Sequence, residues 1–254
     1  MKIARLLKEN METYGFVNGE NVLTKESLTA QTGVPIPQSI KDFLFDGWYD
    51  EVKTKAANLN YSEKISDFKF LAPIPNPSKI ICLAFNYKDH AKEQNLIPPD
   101  EPALIIKPRS TLNGSKSDIV CPKFVTKLDY EIELALIIGK NCKNISEEEA
   151  KKAIFGYMIL NDASARDIQA KDKQFTRAKG FDTFAPCGPW ITTADEVQDP
   201  QNLKMVTKVN GIVRQDSSTS NMFLKIGPIV SMISKVMTLE KGDIISTGTP
   251  AGVM

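Results

Sequence analysis

Apolar and polar positions alternate in short runs along most of this chain, so strands rather than long helices dominate the expected structure. Residues 79–85, 103–107, 154–160, 190–193, 204–210 and 243–247 each read as strands, and they outnumber the helical segments. Asn18-Gly19 and Asn210-Gly211 mark two hairpin turns, because both residue types tolerate positive φ. Helices are expected in three places. One is capped by Ser39 and carries Ile40, Phe43 and Leu44; one surrounds His90; one follows Ser146, with Glu147, Glu148 and Glu149 in its first turn. Prolines 73, 75 and 77 break the pattern and divide a small N-terminal unit, residues 1–72, from a larger one, residues 73–254.

Residues 128–139 depart from simple alternation. Read as one strand, the segment projects Asp129, Glu131 and Glu133 from one face and Tyr130, Ile132 and Leu134 from the other. The apolar continuation, residues 134–138, suits a central strand. Burying an ionised carboxylate there costs several kcal/mol unless a partner or cation compensates it. Clustered like charges also raise one another's pKa. A hard divalent cation, Mg²⁺, Ca²⁺ or Mn²⁺, relieves both problems. The alternative is a solvated face on an edge strand.

Composition narrows the classes. The chain has 254 residues and a net charge of +1, with acids and bases mixed throughout, so it lacks the basic stripe of a nucleic-acid binder. No apolar run is long enough to span a membrane, and the N-terminus lacks the h-region of a signal peptide. Cys82, Cys121, Cys142 and Cys187 are dispersed, which points to free thiols in the cytoplasm rather than a disulfide frame or zinc site. The single histidine excludes a multi-histidine metal cage. Gly-x-Gly-x-x-Gly and P-loop patterns are absent.

That histidine, His90, lies three residues before Glu93, so a helix places both on one face. The pair reads either as a surface ion pair or as a carboxylate orienting a general base. Asp162 ends an apolar strand and reads either as a metal oxygen or as a helix N-cap. Lys179 beside Gly180, and the hydroxyl-rich turn 246–252 with Gly248 and Thr249, could hold an anionic substrate.

In order and wording these segments resemble the fumarylacetoacetate hydrolase family. The matching stretches are Asn86-Tyr87 with His90 and Glu93, residues 129–134, 161–167, 179–186, 188–190, 209–211 with Arg214-Gln215, and 242–243 through 247–253. The resemblance spans about residues 72–254 and is nearest the smaller members, which cleave or decarboxylate short 2-oxo acids. It implies an α+β, mainly β fold, a mixed β-sandwich roll preceded by a small N-terminal α/β domain, and a homodimer. It implies Mg²⁺ or Mn²⁺ (Ca²⁺ as a substitute in a crystal) on Glu131, Glu133 and Asp162. His90 and Glu93 would activate water on a helix or lid that orders with substrate, and Lys179 would contact substrate or its oxyanion. Asn86, Tyr87, Arg166, Gln169, Gly248 and Thr249 would complete the substrate contacts.

The implied activity is metal-dependent hydrolysis of a carbon–carbon bond in 2,4-dioxo acids of the acylpyruvate or fumarylpyruvate type. The same site would serve an oxaloacetate-type decarboxylase or a 2-hydroxyhepta-2,4-diene-1,7-dioate isomerase. A non-catalytic binder of a metal and a small acid is the alternative from another class. Two departures from the family pattern stand out. Phe175 occupies a position where relatives often carry tryptophan, and relatives continue past the Gly-Thr-Pro-Ala-Gly-Val segment into a further glycine–acid turn and closing strands, whereas this sequence ends at Met254.

Overall fold

Asn210 and Gly211 both adopt positive φ, 52° and 80°, and join two strands in the tight turn that their side chains permit. Short connections of this kind organise a computed structural model that describes residues 1–97 and 101–253. The strands are β1 (Lys2–Lys8), β2 (Met11–Asn18), β3 (Asn21–Thr24), β4 (Glu63–Lys64), β5 (Lys69–Leu71), β6 (Ile80–Leu83), β7 (Leu104–Lys107) and β8 (Leu112–Gly114). They continue as β9 (Leu128–Asp129), β10 (Ile132–Ile138), β11 (Ile154–Asn161), β12 (Ser164–Ala165), β13 (Ala185–Thr193), β14 (Lys204–Val209), β15 (Ile212–Ser218) and β16 (Ile244–Ser246). The helices are α1 (Lys25–Thr32), α2 (Ile40–Phe45), α3 (Trp48–Ala56), α4 (Lys88–Glu93), α5 (Glu147–Ala153), α6 (Arg166–Asp172), α7 (Thr176–Lys179) and α8 (Ile226–Val236).

Among the described residues, twelve strands form one mixed sheet, with the path β4-β3-β2-β1-β13-β11-β10-β16-β6-β7 and with β5 on β1 and β8 on β13. The β13–β8 and β16–β6 pairs are parallel and the other pairs antiparallel. Strand β1 pairs with β13 through Lys2–Thr192 and Ile3–Ile191, so the N-terminal strands extend the sheet that carries residues 80–246. The mixed, sheet-dominated α+β architecture is the one the sequence led us to expect.

The period-2 pattern explains the two packed faces. Ile80, Cys82, Ala135, Ile137 and Ile244 face a core closed by Phe43 of α2 and Tyr49 of α3. Ile81, Leu83, Leu136, Ile138 and Ile245 face the other core, closed by Ile229, Val230 and Ile233 of α8. Each buried Ile, Leu or Phe among them contributes about 1.5–3 kcal/mol by leaving water. Local capping fixes the helices: Ser39 Oγ accepts from Asp42 N, and Ser146 with Glu149 forms a capping box.

Two expectations need correction. The first hairpin turns at Gly19-Glu20, one residue later than Asn18-Gly19, because Asn18 itself pairs with Asn21. The acidic segment is not one strand. It breaks between β9 and β10, because β9 leaves the main sheet to pair with β12. Strand β10 is nonetheless central, flanked by β11 and β16.

Candidate active site

The site lies at the ends of β6, β7, β10 and β11, on the face that carries Cys82, Ile105 and Ile137. The period of two that directs those apolar residues inward also directs Lys107 and Glu133 there. Asp129, Glu131, Glu133 and Asp162 are all buried, which disposes of the solvated-edge alternative. Asp162 is not a helix N-cap, since α6 begins at Arg166 with Ala165 in the cap position. Its backbone N–H donates to Glu131 O at 2.9 Å, so the break after Asp129 and the end of β11 hold each other.

Three cations enter this acidic cluster. Lys179 Nζ donates to Glu131 Oε2 and Asp162 Oδ2, both at 2.7 Å, and to Ser164 Oγ at 2.8 Å. Lys107 Nζ donates to Asp162 Oδ1 at 2.5 Å. Arg166 Nε donates to Asp129 Oδ2 at 2.7 Å, its Nη2 lies 2.6 Å from Glu131 Oε1, and its Nη1 donates to Gln169 Oε1 at 3.0 Å. Burial alone would raise the Asp162 carboxyl, but Lys107 and Lys179 hold it down at about 2. Burial likewise opposes the Lys179 charge, and Asp162 and Glu131 outweigh it, so this ammonium stays protonated.

Glu133 differs. Burial first, then the charges of Asp162 and Glu131, push its carboxyl well above the usual range. Its Oε2 accepts from Gly248 N at 3.0 Å, a neutral donor. Ligand atoms of Cys82, Glu133 and Asp162 lie within 4.8 Å of one another. Buried carboxylates, one of them under-compensated, with an ammonium already bridging Glu131 and Asp162, form a set that suits a divalent cation. The donors are mainly carboxylate oxygens; burial and the neighbouring carboxylates push the Cys82 thiol well up, so it stays protonated beside them.

Helix α4 supplies the pair read from its spacing. His90 Nδ1 lies 3.1 Å from Glu93 Oε2, and Glu93 Oε1 accepts from Gly252 N at 3.0 Å. Asp89 anchors the start of the helix: Oδ1 accepts from His90 N at 2.9 Å and Oδ2 from Ser217 Oγ at 2.5 Å. The imidazole stacks on Phe85, ring centroids 6.0 Å apart and planes 11° apart. A cavity of about 160 Å³ is lined by His90, Glu131, Arg166, Gln169, Lys179 and Thr249, with Phe85, Ile105 and Phe175 on its apolar wall.

Three residues expected to touch substrate, Asn86, Tyr87 and Gly248, do not line this cavity. Asn86 Nδ2 donates to Leu224 O and Thr247 O, and its Oδ1 accepts from Leu224 N, so the amide clamps backbone. Tyr87 is fully buried with its hydroxyl 3.1 Å from Met205 Sδ. Gly248 N–H faces Glu133, and Thr249 Oγ1 donates to Ile132 O, though Thr249 also lines the cavity. Lys107, Cys82, Ser164 and Asp89 were not singled out by the sequence. The signal at Lys107 was a lysine closing an apolar strand in phase with inward-facing Ile105.

Residues 79–254 match the fumarylacetoacetate (FAA) hydrolase C-terminal family. The chain belongs to the fumarylacetoacetate hydrolase family. Family members of known activity include hydrolases, isomerases and tautomerases. An oxaloacetate tautomerase of Bacillus subtilis is 43% identical over 210 residues, 81% of this chain and 69% of its own. The maleylpyruvate hydrolase of Sphingobium sp. SYK-6, solved in complex with manganese(II) ion and pyruvate, matches with a TM-score of 0.81 at 34% identity, over 100% of this chain and 90% of that one. A 2-hydroxyhepta-2,4-diene-1,7-dioate isomerase from Mycobacterium marinum matches with a TM-score of 0.78 at 35% identity, over 100% and 89% of the two chains. The N-terminal strands lie outside the matched family region but inside the shared fold. Among the described residues, no helix is long and apolar enough to cross a membrane.

Proposed function

We propose that this protein hydrolyses the carbon–carbon bond of short 2,4-dioxo acids of the acylpyruvate type, releasing a carboxylic acid and pyruvate. The observation that carries this reading is His90, in the wall of the cavity that also exposes Glu131, Arg166 and Lys179, with Glu93 behind it on Nδ1. The Glu93 carboxylate accepts from Nδ1–H, which leaves Nε2 as the proton acceptor. His90 takes a proton from water, and the hydroxide adds to the distal carbonyl. The bond between that carbon and the methylene then breaks, giving the carboxylic acid and the enolate of pyruvate. The proton on His90 returns to the enolate carbon.

The Lys179 ammonium lines the cavity and is held by Glu131, Asp162 and Ser164, so its positive charge would act on a developing enolate without reorientation. Arg166, with Gln169 on its Nη1, presents a further cation to the substrate carboxylate. A Mg²⁺ or Mn²⁺ ion held by Glu131, Glu133 and Asp162 would supply Lewis acidity toward the 2-oxo acid end of the substrate. The manganese and pyruvate bound by the Sphingobium enzyme support this part of the reading. A homodimer in the cytoplasm belongs to the same proposal.

Oxaloacetate tautomerisation is the second reading, favoured by the likeness to the Bacillus enzyme. It needs only a proton moved between carbon and enol oxygen, and no attacking water. The test follows the ultraviolet absorbance of acetylpyruvate with Mn²⁺ or Mg²⁺ and then with EDTA, with oxaloacetate in parallel, for wild type and His90→Asn. Metal-dependent, His90-dependent loss of acetylpyruvate supports hydrolysis. An inert acetylpyruvate sample beside accelerated enol–keto exchange or decarboxylation of oxaloacetate overturns it for the second reading or for a decarboxylase.

A further inference from the structure

Phe85 is an aromatic residue with a φ of +58°, a left-handed conformation that a bulky side chain adopts only when its surroundings impose it. The surroundings here do impose it. On one side Ala84 N donates to Ala103 O at 3.0 Å; on the other, Phe223 N donates to Asn86 O at 2.7 Å, and the Asn86 amide is clamped to Leu224 and Thr247. The turn that carries Phe85 is thus locked by neighbours on three other segments. The outcome of this locking is that the ring lies nearly parallel to the His90 imidazole, 11° between planes, in the wall of the same cavity.

Glu93 alone does not fix an imidazole. One hydrogen bond at Nδ1 defines where that edge of the ring points, but it leaves the ring free to swing about the bond. A flat aromatic face beside it removes that freedom.

We infer that Phe85 is a positioning residue for His90: its strained backbone places a ring against the imidazole, holding Nε2 toward the reacting atoms. The inference rests on His90 being the base of the proposed reaction. It predicts an effect on kcat rather than on substrate or metal affinity.

His90 is the single histidine of the chain, so its imidazole gives one unambiguous set of nuclear magnetic resonance signals. In the metal-free wild-type protein, the stack predicts ring-current-shifted imidazole protons with cross-relaxation to one phenylalanine ring. Phe85→Leu should abolish both signatures and lower kcat roughly tenfold or more, the size of effect that follows from losing a near-attack geometry. The affinity for Mn²⁺ should stay within about twofold, and KM should change much less than kcat, since leucine keeps an apolar wall and only the ring against His90 is lost. Phe85→Tyr, which keeps the ring, should restore the shift and the rate.

Unshifted imidazole protons in the wild type overturn the inference without any mutant. So does a Phe85→Leu enzyme with unchanged kcat, or one whose KM alone rises, which would make Phe85 a substrate wall. If His90→Asn keeps full activity while the wild-type ring-current shift is present, it is the assignment of His90 as base that fails, and the stack stands as geometry only.

Discussion

Lys107 and Asp162 form an ion pair in which both side chains are almost wholly buried, Nζ to Oδ1 at 2.5 Å. The same carboxylate receives Lys179 on its other oxygen. Asp162 therefore carries one ammonium group on each carboxylate oxygen. Lys107→Met should lower the stability of that protein by about 3 kcal/mol, near the lower end for breaking one partner of a buried pair, because Lys179 remains. The same substitution removes a positive charge next to the cation site, so Mn²⁺ should bind more tightly. Urea unfolding in EDTA and calorimetric Mn²⁺ titration read the two effects, and parallel losses in both would contradict the charge argument.

Glu133 gives a pH dependence of defined sign. Its carboxyl is raised in the folded state above the ordinary 4.5, so the fold keeps a proton that the unfolded chain releases. Stability from this group is therefore lost as pH rises from 4.5 toward the folded value. Metal-free Glu133→Gln should be more stable than wild type at neutral pH and converge with it near pH 4.5 and below. Asp162 acts oppositely: held at about 2 against an ordinary 3.8, it contributes stability above 3.8 that is lost as pH falls through about 2. With Mn²⁺ present the ranking at neutral pH should invert, because only the wild type binds the ion fully. Urea midpoints at neutral pH and pH 4.5, with and without Mn²⁺, check the Glu133 sign, and wild-type midpoints from pH 3.8 down to about 2 check that of Asp162.

Asp89 latches the dyad helix to β15 through Ser217 Oγ at 2.5 Å and to the turn that follows it through Asn221 Nδ2 at 3.4 Å. Asp89→Ala removes these bonds and the one from His90 N. The helix should loosen by about 1.5–3 kcal/mol, the usual size for hydrogen bonds to a charged group. Hydrogen exchange across residues 88–93 should quicken while the β10–β11 amides stay protected. Uniform loss of protection would mean that the latch stabilises the whole fold instead.

Gly252 sits at φ +101°, and a Cβ there would come within 2.1 Å of Arg214 O. Gly252→Ala must shift the turn and break the bond from its N–H to Glu93. We expect turnover to fall by at least about tenfold, as for other small displacements of catalytic groups, with the melting temperature lowered by only a few degrees. Full activity in this variant would show that Glu93 orients His90 without help from the C-terminal turn.

Much of this arrangement was legible where local rules act. The i,i+3 spacing of His90 and Glu93 needs only one helical turn, and Ser39 and Ser146 cap helices through bonds to residues three positions on. The inward phase of Glu133 follows from the strand period. What escaped the sequence depends on distant partners. Asp129 leaves the strand expected for it because β12 and Arg166, far along the chain, take it up. Asn86 and Tyr87 belong to a motif that signals importance, but only the positions of Leu224, Thr247 and Met205 show that they serve backbone and core. Lys107 carried a readable hint, yet its partner lies at residue 162, and no pattern within β7 names it.

Strand β16 is inserted between β10 and β6, with Ser246 opposite Ala135 on one side and Cys82 on the other. During synthesis, therefore, β6 and β10 leave the ribosome without the neighbour that joins them. Both must wait, with apolar edges unpaired, until residue 246 has emerged. The pocket floor cannot be assembled vectorially from its earlier parts, and pairings this distant in sequence form slowly. Newly made chains should spend that interval as clients of holding chaperones, and substitutions that weaken β16 should reduce the yield of folded protein in cells more than they reduce the stability of the finished one.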